Sequence, residues 1–562
     1  MAEALEQDAL QAIFELLPAR TLASAACVCR SWYYGFQAIC SRPCLFSALS
    51  LRPNLKVAME EVLEKVLAQP FRPQFGIVFA GQKFKLSNIY DMLKSKLPGG
   101  IVVIGCHAIG LIGLDVATNK QKEVMFRQLE TRSTISQKNA GLVVTLGCFP
   151  GVHVETMALK NSYYVWEDDV KNFVDQASAG AFHGSSCEAP LSIVLLAKPR
   201  SGVEGLLEKL DGAFMGQTII TGGLCIDNSD NCLLSECFTN DEPLTNDFDK
   251  PRKLAHTIRD IKSEMKSRVQ GISNFFKRQS TTQVGKKPTS RQSSITVTSN
   301  DDVVGLMFRR RVNNQYNKGS KFLHCQAVAS GGLVPVGPVY VVVSVSETKD
   351  PVLHEATTGL TCMRENDDRE LDGLALFEDL HVQVGDDTSY PCVGVMRHRQ
   401  HFSQLGQQEV LHIYEVQGAD EEYLYVDGKG IKTGDKLRFY CTDVKAARLD
   451  NIQKLNQLEK KVKSEACASV LGPLKARRPS EVGALMFSCN GRGEEYFGEA
   501  NVDSGDFQEM FPNIPLSGMF CLAEIGPPSI LPWEITNSSK QLQRQTVVNI
   551  FSSVCMLFSR DV

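Results

Sequence analysis

Four signatures of catalysis and nucleotide binding are missing from the sequence. It contains no GxxxxGK[ST] phosphate loop, no GxGxxG turn, no GxSxG nucleophile elbow and no HExxH zinc helix. These absences remove the support for a conventional hydrolase or a nucleotide-dependent enzyme. We therefore predict that the chain is not an enzyme and that it has no catalytic residues.

Cysteines at CxxC spacing are also missing. The chain has 18 cysteines but no CxxC motif, and a chain of 562 residues does not need disulfides to stabilise a small core. The N-terminal sequence MAEALEQDAL is acidic and lacks the basic and apolar regions of a secretory signal. We predict reduced thiols and a cytoplasmic or nuclear protein, or one present in both compartments, that is not secreted.

Metal-ligand spacings and a membrane span are not found in the sequence either. His398 and His401 have no cysteine or carboxylate at ligand spacing. The cluster of Cys225, Cys232 and Cys237 is not tightly paired either, so we predict no metal and no cofactor. The longest uncharged stretch is residues 325–346, where Pro335 and Pro338 would break a helix. No transmembrane segment is expected.

Composition and charge indicate a packed protein of several domains. Hydrophobic residues make up 43% of the chain, and its length suggests about three or four domains. The formal net charge is only −4, from 60 basic and 64 acidic side chains. Because no overall field attracts polyanions, we predict no specific nucleic-acid partner, and any electrostatic binding must be local.

The first fifty residues have helical periodicity. Apolar residues recur every three to five positions up to Leu17, Pro18 ends this first helix, and a second apolar stripe begins near Leu22. Three helices this short leave much apolar surface uncovered unless another polypeptide covers it. One alternative is a helical cap that packs on the domain that follows.

The residues of this region resemble the F-box family. The resemblance rests on Leu17-Pro18, on Leu22, on the run from Ala26 to Trp32 and on the closing Leu45-Phe46. It implies the substrate-receptor subunit of a cullin-RING ubiquitin ligase, bound to a Skp-family adaptor and through it to the cullin scaffold. The residues expected to bind the adaptor are Leu17, Pro18, Leu22, Val28, Cys29 and Trp32.

The remainder of the chain alternates short β-branched runs with helical patterns. Strands are predicted near residues 76–80, 101–105, 142–147, 193–197 and 218–221, and later near 303–308, 322–328, 339–345, 422–426 and 436–441. Asp427-Gly428 predicts a hairpin turn between the last two strands. The expected fold is α+β or mixed α/β: a small three-helix N-terminal unit, then a large two-part α/β body with mixed sheets.

The segment from Ser480 to Pro527 is similar to the C-terminal signature of the FIST family. A strand enters Ser488-Cys489-Asn490-Gly491-Arg492-Gly493, and a later stretch contains Glu524, Ile525 and Gly526, whereas Cys521 and Ala523 stand at two family glycines. The resemblance implies two FIST domains, and FIST domains elsewhere are regarded as sensors of small, amino-acid-like ligands. The candidate ligand or client loop comprises Cys489, Gly491, Arg492, Gly493, Glu524 and Gly526.

The chemistry of this loop leaves alternatives open. Glycine amides and the Arg492 guanidinium suit an anion or a carbonyl group, but Arg492 could instead pair with Glu494, Glu495 or Glu524. Cys489 is either an accessible, acidified thiol or a buried, inert one. An enzyme that uses Cys489 as its nucleophile would need a base, and the sequence indicates none.

Residues 249–302 form a basic insert. Residues 250–291 carry twelve Lys or Arg against Asp260 and Glu264, and apolar residues at intervals of three or four predict an amphipathic helix in the first half. Ten of the twenty residues from 280 to 299 are Ser or Thr, which predicts a flexible loop with candidate phosphosites Ser280 and Ser294. A solvated helix, a patch for nuclear import or an acidic partner, and a membrane-surface or calmodulin-type helix remain alternatives, and membrane contact is the less favoured.

These observations give a domain map and two hypotheses. We predict an F-box at 1–50, a helical linker at 51–72, FIST-like domains at 73–248 and 303–530 around the insert, and a segment at 531–562 that completes the body. The leading hypothesis is a receptor that recruits an unidentified client protein for ubiquitination and degradation. The alternative is an intracellular sensor of a small ligand.

Overall fold

Most of the chain outside the basic insert is described by a computed structural model. Ser280 and Ser294 lie outside the described residues, as does almost all of the insert. The described residues belong to one compact unit, Met1–Cys237 with Thr298–Val562. The described residues are 7–126, 139–159, 171, 189–199, 201–226, 232–237, 301–310, 323–349, 356–384, 391–399, 408–428, 430–468, 480–530, 533 and 545–560.

The N-terminus forms three short helices that run directly into a strand. Helices α1 (Gln7–Phe14), α2 (Ala19–Ala25) and α3 (Arg30–Cys40) are followed by strand β1 (Cys44–Ser50). Pro18 precedes the first residue of α2, a position where its fixed φ and missing N–H cost nothing. We call residues 7–43 the head. Strand β1 lies within the range predicted for the F-box, but it pairs with strands of the body.

The first half of the body alternates helices and strands. The predicted strands of this half are present, with ends shifted by at most a few residues, because each is a continuous apolar run that is buried on both faces. Its elements are α4 (Leu55–Leu67), β2 (Phe75–Ala80), α5 (Leu86–Lys96), β3 (Val102–His107), β4 (Gly110–Asp115), β5 (Lys120–Met125), β6 (Leu142–Cys148), β7 (Val152–Leu159), β8 (Ser192–Ala197), α6 (Val203–Phe214), β9 (Ile219–Leu224) and β10 (Leu233–Cys237).

The second half contains more strand than helix. It also supplies strands to the sheets of the first half, so the two halves are interleaved. Its elements are β11 (Val303–Arg310), β12 (Leu323–Ser330), β13 (Leu333–Lys349), β14 (Ala356–Arg364), β15 (Glu370–Leu371), α7 (Gly373–Val384), β16 (Cys392–Arg399), β17 (Gln408–Ala419), β18 (Leu424–Asp427), β19 (Lys436–Thr442), α8 (Val444–Ala468), β20 (Ser480–Cys489), α9 (Glu494–Phe497), α10 (Val502–Met510), β21 (Leu516–Cys521), β22 (Glu524–Gly526), β23 (Val547–Asn549) and β24 (Ser553–Arg560).

Two mixed sheets pack face to face and enclose the main core. The large sheet has the order β10-β3-β2-β6-β1-β4-β21-β20-β24-β12, with β5 paired to β4, and the second has the order β23-β22-β9-β8-β11-β7. Pairs β2–β3, β1–β4, β20–β21 and β8–β9 are parallel, whereas the other pairs of these two sheets are antiparallel. Phe79 and Phe487 of the large sheet share one apolar cluster with Leu196 and Phe308 of the second. The predicted mixed α/β class is confirmed.

Helices cover the outer faces of this sandwich. Leu455 and Leu458 of α8 pack with Phe507 of α10 against the large sheet, and Leu206 and Leu210 of α6 pack against the second sheet. None of the described helices combines the length and the apolar composition that a bilayer span requires. The C-terminal strand β24 lies inside the large sheet, between β20 and β12.

The third sheet is an antiparallel ring, and here one sequence prediction is wrong. Its order is β13-β19-β16-β17-β18-β14, and the pairing of β13 with β14 closes it, with α7 packed on its apolar interior. Strands β18 and β19 are not hydrogen-bonded to each other, so Asp427-Gly428 is not the turn of a hairpin between them. Strand β18 instead pairs with β14 and β17, and β19 pairs with β13 and β16.

Candidate functional site

The head has a small apolar core of its own. Leu10 and Phe14 from α1, Leu22 from α2 and Ile39 from α3 are buried together. The ring of Trp32 meets Phe14 edge-on with 5.4 Å between centroids. These contacts hold the three helices against one another, so part of their apolar surface is covered without a partner.

The structure separates the six predicted adaptor-binding residues by exposure. Val28 is exposed, Leu17, Pro18, Cys29 and Trp32 are half-buried, and Leu22 is fully buried in the core of the head. A side chain without accessible surface cannot contact another protein directly. We therefore assign Leu22 to the packing of the head, and the other five remain candidates for contact.

Further apolar side chains of the head face solvent. Leu16 is 83% exposed in the turn after α1. By contrast, the indole N–H of the half-buried Trp32 is itself buried, and it has no hydrogen-bond partner among the described residues. Sequence periodicity groups Leu16 with the core leucines, because periodicity cannot show that α1 ends at Phe14. The exposed apolar residues of the head are Ile13, Leu16, Val28, Tyr33 and Tyr34.

The predicted ligand loop lies where two parallel strands end. Strands β20 and β21 are adjacent and end at Cys489 and Cys521, which are direct neighbours across the strands. A single 3-10 turn, Asn490–Arg492, then leads into α9. We call the set Cys489, Arg492, Asp503, Cys521 and Glu524 the strand-end cluster.

Arg492 is a buried charge of this cluster. Its side chain is 1% exposed, and it donates to both carboxylate oxygens of Asp503 at 2.8 and 3.0 Å. The guanidinium also lies 5.3 Å from the ring centroid of Phe497. The alternative in which Arg492 pairs with Glu494, Glu495 or Glu524 does not hold, because the turn and α9 direct its side chain inward to Asp503 at the start of α10.

The glycines of the loop are required by close packing. A Cβ atom on Gly491 would lie 2.9 Å from the Phe551 ring, one on Gly493 2.7 Å from a Met125 carbon, and one on Gly526 2.7 Å from a Val554 methyl group. Side chains therefore occupy the space beside these glycines. An open cradle of backbone amides, which the sequence motif suggested, is not formed at these three positions.

Two carboxyl groups, the fully buried Glu524 and the half-buried Glu123, flank the Arg492–Asp503 pair. Glu524 accepts hydrogen bonds from the Ser552 hydroxyl at 2.6 Å and from the Cys521 thiol at 3.4 Å, and burial raises its pKa to about 8. Glu123 on β5 accepts from the Ser504 amide at 2.6 Å, and burial together with the Asp503 charge raises its pKa to about 7. With Glu123 included, three acidic side chains thus surround the one permanent cation, Arg492.

Cys489 is buried, which is one of the two alternatives that the sequence left open for this thiol. Its side chain is nearly inaccessible, and burial followed by the Glu524 charge raises the pKa of its thiol. The thiol is therefore protonated at neutral pH, unlike the acidified thiols of cysteine enzymes. Sequence reasoning missed Asp503, Glu123 and Ser552, since their distance from Arg492 along the chain gives no spacing signal.

Within the described ranges, no three His, Cys, Asp or Glu side chains are placed to hold a metal ion. The polar chemistry of the strand-end cluster is that of a buried ion pair, two thiols and a carboxyl group that can accept a proton.

Comparison with known families assigns both candidate regions. An F-box-like model matches residues 7–52, a FIST N domain model matches residues 74–248, and a FIST C domain model matches residues 367–527. The chain carries an F-box-like domain and two FIST domains. The head lies in the F-box-like domain, and the turn after β20 lies in the FIST C domain.

Curated relatives match this chain over very different lengths. An F-box/LRR-repeat protein of Arabidopsis thaliana is 27% identical over 99% of this chain and 93% of its own length. An uncharacterized protein of Mycobacterium bovis is 49% identical over 53 residues, which are 9% of this chain and 14% of that protein. An uncharacterized protein of Mycobacterium tuberculosis is 32% identical over 100 residues, which are 18% of this chain and 22% of that protein. The F-box-like domain and the Arabidopsis relative support an adaptor role in a ubiquitin ligase.

Proposed function

We propose that this protein is the substrate-recognition subunit of a Skp-cullin-F-box ubiquitin ligase. The head binds a Skp-family adaptor and through it the cullin scaffold, and the FIST body recruits a client protein for ubiquitination and proteasomal degradation. The chain itself contributes no catalytic residue to the transfer of ubiquitin. This role places it in the cytoplasm or the nucleus.

The observation that carries the proposal is the exposed apolar surface of the F-box-like domain. Leu16 is 83% exposed and Val28 is 44% exposed. Exposure of apolar side chains to water is unfavourable, and the head has an apolar core into which they could pack. Five of the thirteen large apolar or aromatic side chains that are exposed among the described residues lie in the head, and such a concentration is typical of a protein–protein interface. A Skp-family adaptor is the partner that the F-box-like domain implies.

Substitution of these residues tests the proposal directly. The double variant Leu16→Ala with Val28→Ala removes apolar side chains without opening a cavity, so the fold should be kept. We expect at least a tenfold loss of affinity for a purified Skp-family adaptor, because buried interface anchors each contribute on the order of 1 kcal/mol or more. Calorimetric or surface-plasmon binding to the full chain measures it.

A matched control is available on the third sheet. Val382 on α7 is 84% exposed, compared with 83% for Leu16, but it lies outside the head. Val382→Ala should bind the adaptor with unchanged affinity. Wild-type affinity in the Leu16 and Val28 double variant would contradict the docking surface that we assign.

A second candidate function, sensing of a small polar ligand, is favoured by one observation near Arg492. The Tyr496 hydroxyl is buried and has no hydrogen-bond partner among the described residues. An added Cβ on Gly332 would lie 3.2 Å from that oxygen and 3.3 Å from an Arg492 nitrogen, which places these polar groups together. A buried hydroxyl without a partner is costly unless water or a ligand satisfies it.

A thermal-shift panel of amino acids and nucleotides tests this alternative. A ligand present at a hundred times its dissociation constant adds about 2.7 kcal/mol to the stability of the folded protein. Tyr496→Phe removes only the hydroxyl, so it should lose the shift for a ligand that binds there while retaining adaptor binding. Equal shifts in both proteins would exclude Tyr496 from the ligand site.

A further inference from the structure

The longest of the described helices, α8, has apolar side chains on two of its sides. Leu455 and Leu458 pack against the large sheet. Three other large apolar side chains of the same helix face solvent: Val444 is 38% exposed, Leu449 58% and Ile452 39%. The outer side of a helix that covers a sheet is normally polar, so the packing of the body does not explain these side chains.

Leu449 and Ile452 lie in a continuous exposed strip along the helix. Residues three or four positions apart are neighbours on one side of a helix, and a set of exposed residues of α8 follows that spacing. The strip is about 27 Å long, since each residue of a helix adds about 1.5 Å. We call this set the α8 strip, and its residues are Lys445, Leu449, Ile452, Asn456, Lys460 and Lys463.

The α8 strip is positively charged at both ends. Lys445 lies one turn before the apolar pair, and Lys460 and Lys463 lie beyond it at the other end. Lys463 donates to Glu459 at 2.6 Å, whereas Lys445 and Lys460 have no acidic partner within the part of the chain that the structure describes. Exposed lysines on either side of an apolar centre complement a segment that carries carboxylates beside apolar side chains.

We propose that the α8 strip binds an acidic amphipathic helix of the client protein. The apolar side chains of that helix contact Leu449 and Ile452, and its carboxylates pair with Lys445 and Lys460. This inference rests on the proposed function, because it names the part of the FIST body that recruits the client. The strip lies in the FIST C domain, so the client and the adaptor contact different residues.

Binding of a defined helical peptide to the full-length protein tests the proposal. The probe is a fluorescein-labelled amphipathic peptide with leucine every three or four residues on one face and glutamate on either side of the leucines. A matched peptide carries lysine at every glutamate position. We expect fluorescence anisotropy to show that the acidic peptide binds at least tenfold more tightly than the basic one. Equal affinities of the two peptides would overturn the proposal.

Substitutions on α8 locate the binding surface. Leu449→Ala combined with Ile452→Ala should weaken binding of the acidic peptide at least fivefold. The control is Met215→Ala, which should leave the affinity unchanged, since Met215 follows α6 directly and is 64% exposed. Lys445→Gln combined with Lys460→Gln should reduce the loss of affinity at high salt, because salt screens the charge pairs. Wild-type affinity in the double alanine variant would place the peptide on another surface and contradict the assignment.

Two further measurements use the wild-type chain. In acetylation of accessible lysines, mapped by mass spectrometry, the acidic peptide should protect Lys445 and Lys460 but not Lys56, which is exposed on α4. Self-association of the wild type that the double alanine variant loses would identify a second copy of the chain as the occupant and overturn the client assignment. Adaptor binding is measured separately. Adaptor binding without peptide binding would refute only the α8 strip, and the reverse result would refute only the ligase proposal.

Discussion

Arg492 shows how a residue that looks like a ligand-binding group can be a structural one. Its charge is neutralised by Asp503 and its flat face is covered by Phe497, so the ion pair stabilises the start of α10 against the turn after β20. Glycines next to an arginine suggest anion binding when only the sequence is known. The partner, Asp503, follows eleven residues later across a helix, and that distance could not be predicted from local spacing.

Removal of the Arg492 side chain should leave a buried and uncompensated carboxylate. We expect Arg492→Ala to lower the free energy of unfolding by about 3–5 kcal/mol. Urea denaturation followed by circular dichroism measures the change. Arg448→Ala is the control, since Arg448 pairs with Glu499 on the surface, and it should change stability by less than about 1 kcal/mol. Equal effects of the two substitutions would contradict the role of the buried pair.

Glu524 makes stability depend on pH in a direction that can be worked out. In the unfolded chain this carboxyl group loses its proton near pH 4.5, whereas in the folded protein its pKa is about 8. Between these values unfolding releases a proton, so a rise in pH favours the unfolded chain. The contribution of Glu524 is therefore fully present below about pH 4.5 and is lost as the pH rises through 8.

Glu524→Gln should reduce this pH dependence. The free energy of unfolding of the wild type should fall between pH 5 and 8 more steeply than that of the variant, by at most about 1.4 kcal/mol per pH unit. Urea titrations at three pH values measure both slopes. Glu495→Gln, at an exposed position, should follow the wild-type curve. Parallel curves for the wild type and Glu524→Gln would show that Glu524 does not titrate in this range.

At the scale of elements, the apolar residues of the head fall into an inner set that is buried in its core and an outer set that is exposed to solvent. Leu22 belongs to the inner set, and Leu16 belongs to the outer set although it lies only six residues away. A sequence stripe shows which residues share a face of a helix but does not show which face another element covers. For this reason the sequence could indicate the exposed apolar residues of the head as a region but not residue by residue.

Substitution at these two positions should separate stability from binding. Leu22→Ala removes a buried side chain, for which the cost is about 2–5 kcal/mol. Hydrogen exchange should accelerate at the amides of α1, α2 and α3 in this variant and remain unchanged in Leu16→Ala. Faster exchange in both variants would mean that Leu16 is part of the core of the head.

Local sequence patterns can locate the strands but cannot predict which strands pair with each other. Buried strands such as β2, β3 and β6 could be located from their apolar runs, since burial on both faces leaves that signature. The partner of each strand depends on contacts far along the chain. Strands β18 and β19 follow one another in sequence, but β17 and β16 lie between them in the sheet.

For the whole molecule, the mixed α/β class could be predicted, but the position of β1 could not. The motif that identified the F-box-like domain extends through Leu45 and Phe46, and both residues lie in a strand between β6 and β4. A short apolar run is compatible with either a helix end or a strand. The domain boundaries predicted from the sequence remain predictions.

Two truncations distinguish the head from the body. A chain that starts at residue 44 keeps β1 and should retain a single cooperative unfolding transition, whereas a chain that starts at residue 51 removes a strand from inside the large sheet. We expect the second chain to aggregate or to lose that transition in differential scanning calorimetry. Both should fail to bind the adaptor. Normal unfolding of the shorter chain would show that β1 is dispensable.

The direct passage from α3 into β1 has a geometric consequence for a ligase. Only residues 41–43 separate the last helix of the head from a strand in the large sheet, and Arg42 among them is paired to Glu15 at 2.7 Å. So short a connection provides no flexible linker that would let the body move relative to the head. A client held on the body would be presented at a set distance from the ubiquitin-loaded enzyme, and the choice of acceptor lysine would follow from the shape of the complex.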